Sequence, residues 1–134
     1  MQNISSPLAA LTYTDRPAYC TSLGRVMLAA MSDAELDAYF EKATLRAFTD
    51  RTIISESGLR AILIDVRQSG YAVVEEELEI GLCSIAVPVR GAPGTTVAAL
   101  NVGAQSTRVT RFQLEKTFLP ALLNAASELS VLLP

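Results

Sequence analysis

Apolar positions recur along this chain first at helical spacing and then, past the middle, at every second residue. Leu23, Val26, Met27 and Ala30 share one side of a helix that begins near Ser22 and runs to about Met31. Ser32-Asp33-Ala34-Glu35 sets a hydroxyl and a carboxylate three positions apart, the spacing of a capping box, so a second helix follows to about Lys42. Thr44 to Ile54 is a connection. Ser55 caps a third helix over 56–69, whose apolar face is Leu59, Ile62, Leu63 and Val66, with Gly70 as its stop. Ahead of all this, Leu8 to Tyr13 reads as a short strand.

After Gly70 the period changes to two. Tyr71 to Val74 reads as a short strand and Leu82 to Arg90 as a longer one. Gly91-Ala92-Pro93-Gly94 is a turn, and Thr95 to Gly103 is the return strand of an antiparallel hairpin. The last helix covers about 108–132, with Leu114, Phe118, Leu122, Ala126, Leu129 and Leu133 on one stripe. Pro120 should interrupt it near Thr117, because proline has no N–H to give the preceding turn.

Alternation divides the hairpin into two unlike faces. Cys83, Ile85, Val87, Val89, Leu100 and Val102 make a large apolar face; Val97 falls out of phase with it. Ser84, Ala86, Pro88, Ala99, Asn101 and Gly103 make a small, partly polar one. A large apolar face is covered by helices. A small face either admits a close helix backbone or floors a cavity with a few convergent polar groups.

Composition narrows the classes. The 134 residues predict one domain, and 50% apolar with 19% charged residues is ordinary for a globular protein. A net charge of −3 and a pI near 4.9 argue against a domain that itself grips nucleic acid. No apolar run reaches the roughly 18 residues of a membrane span. The first residues, MQNISSPLAALTYTD, lack the basic start and apolar run of a signal peptide. Cys20 and Cys83 lie far apart without metal-ligand spacing, and read as reduced thiols of a cytoplasmic protein. There is no histidine, so neither a Ser-His or Cys-His couple nor a histidine-bearing metal site is available within the chain. No metal or other cofactor is expected.

The stretch PAYCTSLGRVMLAAM, residues 17–31, holds the candidate chemistry. Cys20 stands where a helix N-terminus would stabilise a thiolate, but only Arg16 and Arg25 offer nearby positive charge and no histidine exists to act as base. A small buried thiol is the plainer reading. Ser22-Leu23-Gly24 is half of a nucleophile elbow, without its first glycine or its strand. The first-turn amides of Ser22, Leu23 and Gly24 suit a small anion such as a carboxylate; Thr21 or Ser22 would also cap the helix. Arg16 reaches a carboxylate or lies on the surface. Tyr19 stacks on an aromatic ligand or packs in the core. Glu75, Glu76, Glu77 and Glu79 read as a solvated turn.

RPAYCTSLGRVMLAA (16–30), LRAILIDVRQSGYAVVEEELEIGLCSIAVPV (59–89) and TVAALNVG (96–103) together resemble the effector-binding domain of the IclR family of bacterial transcription regulators. The wording of PAYCTSLGR and GLCSIAVPV is most similar to the aromatic-acid subgroup, regulators of the protocatechuate and β-ketoadipate pathway. The resemblance implies an α/β (α+β) fold, a profilin- or GAF-like curved mixed sheet with helices packed on it. It implies a small carboxylate effector lying between the sheet and the loop into the Ser22 helix, held by the amides of Ser22 and Leu23. Ser84, Asn101 and Gly103 then face the pocket, as does Val74, with Tyr19, Thr21, Gly24 and Arg16 near it. Family members often have aspartate at the Val74 position and serine at Gly103. Both departures remove polar groups and favour a flat, apolar acid such as a hydroxylated benzoate. Self-association as a dimer or tetramer is implied too. So is operator binding through an N-terminal winged helix-turn-helix that, with the first strands, is missing from these residues. The rival readings are a cysteine-dependent hydrolase using Cys20 and a ligand-free oligomerisation domain.

Overall fold

A computed structural model describes residues 17–133, so the expected Leu8–Tyr13 strand and Arg16 lie outside the described residues. A 3-10 turn, Ala18–Cys20, leads through Thr21 into helix α1, Ser22–Ala29. Helices α2, Asp33–Lys42, and α3, Glu56–Ser69, follow. The strands are β1, Ala72–Glu75; β2, Leu82–Arg90; and β3, Thr96–Gln105. The chain ends in α4, Arg111–Gln113; a π-helical segment, Leu114–Phe118; and α5, Leu119–Ser130.

The helix ends form where the capping chemistry puts them. Ser32 Oγ accepts from the Glu35 N–H while Glu35 Oε1 accepts from the Ser32 N–H, a complete capping box. Ser55 Oγ accepts from the Gly58 N–H. Gly70 closes α3 in the left-handed region at φ 85°, its N–H donating to the Val66 carbonyl. The C-terminal helix starts at Thr110, whose capping box with Gln113 replaces the earlier start expected near residue 108. Its interruption at Pro120 takes the form of a widened turn, in which the Leu119 N–H reaches back to the Leu114 carbonyl.

All three described strands are antiparallel, in the order β1-β2-β3. Val89 pairs with Ala98 and Arg90 with Thr96, so Val97 is the extra residue of a bulge. That bulge is why Val97 breaks the alternation.

Helices cover both faces. Cys83, Ile85, Val87 and Val89 pack on Leu114, Leu122 and Ala126 of the C-terminal helical segments. On the other face, Ala72 and Ala86 join one cluster with Val26, Leu28 and Ala29 of α1 and Leu59, Leu63 and Val66 of α3. Helix α1 is not the amphipathic element its spacing predicts. It is buried nearly all round, as expected for a helix sandwiched between a sheet and other helices, and Leu23 is its exposed large apolar residue.

Candidate functional site

The small face of the sheet ends in a cavity of about 460 Å³. Its floor follows from the register. Val74 lies opposite Ser84, Ser84 opposite Gly103, and Leu82 opposite Gln105, so these side chains share one face, and Asn101 follows two residues before Gly103. Cys20, Thr21 and Leu23 form the opposite wall, where the 3-10 turn enters α1, and Leu78 closes a side. Asn101, Gly103 and Gln105 are exposed, so the cavity opens along β3. No charged side chain lines it among the described residues.

The start of α1 supplies the polarity that the lining lacks. Thr21 Oγ1 accepts from the Gly24 N–H at 3.0 Å and the Thr21 carbonyl from the Arg25 N–H at 3.0 Å. The Ser22 and Leu23 N–H groups have no hydrogen bond among those described. They are also at the positive end of the helix dipole. Ser22 Oγ is buried without a partner among the described residues.

Gly24 has a packing role. A Cβ there would stand 2.3 Å from the Ala18 backbone, so only glycine lets the 3-10 turn lie against α1. Tyr19, expected near a ligand, is instead buried in the core. Its hydroxyl donates to the Arg46 carbonyl at 2.8 Å and accepts from the Arg46 N–H at 3.0 Å, and its ring lies 6.5 Å from Phe48. Of the residues read from sequence as ligand contacts, Thr21, Leu23, Val74, Ser84, Asn101 and Gly103 line the cavity. Tyr19, Ser22 and Gly24 do not. Leu78, Leu82 and Gln105 line it and were not anticipated; the even positions of β2 and odd positions of β3 place the last two there.

Cys20 is fully buried and Cys83 nearly so, and both thiols are free. Burial pushes the Cys20 thiol up to about 11; the Glu77 charge adds to this and Arg25 opposes it. A thiol held neutral there is a poor nucleophile.

The acidic run departs from the solvated turn expected of it. Glu77 is 7% exposed and meets Arg25, 2% exposed, in a bidentate pair of 2.9 and 2.6 Å. Glu76 has a positive φ of 57°, held because its N–H donates to the Leu82 carbonyl and its carboxylate accepts from the Gly81 N–H and from Arg51. Glu75 and Glu79 keep partial or full exposure.

No helix among the described residues is long and apolar enough to cross a membrane, and no group of His, Cys, Asp and Glu there could hold a metal ion.

Known proteins share this sequence and this fold. Residues 13–131 match the family model described as bacterial transcriptional regulator IclR C-terminal. The chain is 51% identical over 113 residues to the Pca regulon regulatory protein of Pseudomonas putida, covering 84% of this chain and 39% of that one. It is 42% identical over 113 residues to the p-hydroxybenzoate hydroxylase transcriptional activator of Acinetobacter baylyi, covering 84% of this chain and 42% of the relative. Among solved structures, a double mutant of the PobR inducer-binding domain from Acinetobacter, in complex with 3-hydroxybenzoic acid, superposes with a TM-score of 0.82. That pair is 41% identical, covering 85% of this chain and 67% of the other. The chain spans well under half the length of the first two relatives, which are named as regulators, not enzymes. It belongs to the IclR C-terminal family of bacterial transcriptional regulators.

Proposed function

We propose that these residues sense a small aromatic monocarboxylate for a transcription regulator. The observation that carries this reading is that the start of α1 reaches an uncharged cavity through Thr21 and Leu23, with the Leu23 N–H and the adjoining Ser22 N–H lacking described partners. Two N–H donors at a helix N-terminus suit one carboxylate. Beyond them the acid meets Leu23, Val74, Leu78 and Leu82, a lining that favours an apolar ring. Ser84, Asn101 and Gln105 offer donors and acceptors to ring hydroxyls, and Gly103 leaves room, since nothing lies within 4 Å of where its Cβ would stand. A second carboxylate would have only neutral groups to replace its water. The relative solved with 3-hydroxybenzoic acid supports an acid of this class.

In the regulator, binding shifts the population between arrangements of associated subunits, and so the placement of DNA-binding modules outside these residues. Self-association through this domain is part of the proposal, and sedimentation with and without ligand tests it. Calorimetry with benzoate, 3-hydroxybenzoate and adipate tests the pocket. The expected order is 3-hydroxybenzoate first, at sub-millimolar Kd, and adipate last. Adipate binding as tightly as the benzoates, or no acid binding below millimolar, rejects the reading.

A further inference from the structure

We infer that the buried Arg25–Glu77 ion pair positions the walls of the effector cavity, and thereby sets how tightly the acid is held; this rests on the effector-sensing reading above. Neither residue lines the cavity. Both act through neighbours that do. Arg25 Nε donates to the Tyr19 carbonyl at 2.8 Å, fixing the 3-10 turn immediately before Cys20 and Thr21. Its two terminal nitrogens donate to the Glu77 carboxylate at 2.9 and 2.6 Å. Glu77 precedes Leu78, the side wall, and is itself held from outside. The Ile53 N–H donates to Glu77 Oε1 at 3.1 Å, and Thr52 Oγ1 to the Glu77 carbonyl at 2.5 Å. One guanidinium–carboxylate fork therefore joins the wall made by Cys20, Thr21 and Leu23 to the wall made by Leu78.

On its far side, the same pair lines a separate polar groove of about 570 Å³, together with Arg51, Asp65, Tyr71 and Arg111. The pair lines that groove but not the effector cavity, and it is buried between the groove and the residues that wall the cavity. A planar fork with two parallel hydrogen bonds fixes distance and angle, which an apolar contact in its place would not.

Stability and positioning separate in the test. Exchanging both members of a buried ion pair for apolar residues often leaves stability unchanged or raised, because two desolvated charges are removed together. Arg25→Met with Glu77→Leu in the full 134-residue chain removes both charges together but leaves the Tyr19 carbonyl and the Ile53 N–H without these partners, so it is expected to melt a few degrees lower than the parent, while at about 25 °C, still folded, its Kd for 3-hydroxybenzoate rises about tenfold or more. Parental affinity in the folded double variant overturns the inference. Should that double variant fail to fold, Glu77→Asp serves. It keeps the charge but shortens the arm by one methylene, which draws Leu78 inward, and unchanged affinity there is equally fatal. A readout without ligand covers failure of the effector reading itself. If the parent binds none of the acids, Cys20 alkylation in the ligand-free chain, followed by peptide mass, still reports the wall. Faster Cys20 modification in the variants supports the positioning role, and parental rates remove it.

Discussion

The small face of the sheet has two parts with the same kind of residue and opposite fates. At Ala72 and Ala86, both nearly unexposed, small side chains admit the body of α1, whose Val26, Leu28 and Ala29 fill the space. At Val74, Ser84, Asn101 and Gly103, the same smallness leaves a void. Residue size alone does not make a cavity. What differs is the cover: helix body over one part, helix N-terminus over the other. The chain enters α1 through a 3-10 turn, and the sheet beneath that entry stays open.

Gly24 is where this division is most easily broken. A Cβ there would meet backbone atoms of Ala18, which have no rotamer to escape into. Gly24→Ala is expected to cost about 3 kcal/mol, at the upper end of overpacking, and to abolish acid binding as the turn is pushed from the helix. Urea denaturation and calorimetry read the two effects. A variant of normal stability and affinity means that the turn does not define the open end.

Cys20 tests how dry that end is. Its thiol is held above the ordinary value of 9.0, at about 11, so the folded state binds the proton more tightly than the unfolded chain. The associated stability is fully present below about pH 9 and is lost as pH rises toward 11, on the order of 2–3 kcal/mol. Cys20→Ala should flatten that decline between pH 9 and 11 in chemical denaturation. An equally steep decline in the variant assigns the loss to other groups.

Ala86→Leu strikes the closed part. It forces methyl groups into a site with no exposed surface, and about 2 kcal/mol of destabilisation is expected from the shift in urea midpoint. If the substitution is neutral, α1 does not press on the sheet there.

Much of this was legible in the chain. Ser32, Ser55 and Gly70 mark helix ends by chemistry that acts within a few residues, and the hairpin follows from strict alternation. The two faces, and most cavity-floor residues, follow from parity. The Arg25–Glu77 pair was not legible, because its members lie 52 positions apart and each resembles a surface charge. One signal was available. Arg25 is the sole charged residue from Ser22 to Met31, and a lone charge in an apolar helix requires a buried partner. Tyr19 stayed open between two readings for a related reason: an aromatic beside a loop suits a ligand or a core equally, and the Arg46 backbone that fixes its hydroxyl is distant in sequence.

Gly103→Ser carries the smallest expected change in stability and the sharpest information about the open part. The position is exposed on β3, and an added Cβ there has nothing within 4 Å, so a hydroxymethyl group enters empty space. Stability should stay within about 0.5 kcal/mol of the parent. Ligand preference should not. A hydroxyl on the cavity floor opposite Ser84 would give a second polar contact to a hydroxylated or keto acid and an unsatisfied group against plain benzoate. The ratio of benzoate to 3-hydroxybenzoate affinity should then fall about threefold to tenfold, in line with one hydrogen bond gained or lost. The same substitution at Ala86 would bury its hydroxyl against α1 and cost stability instead. If Gly103→Ser moves stability and leaves the ratio untouched, the open end is packing space like the closed one.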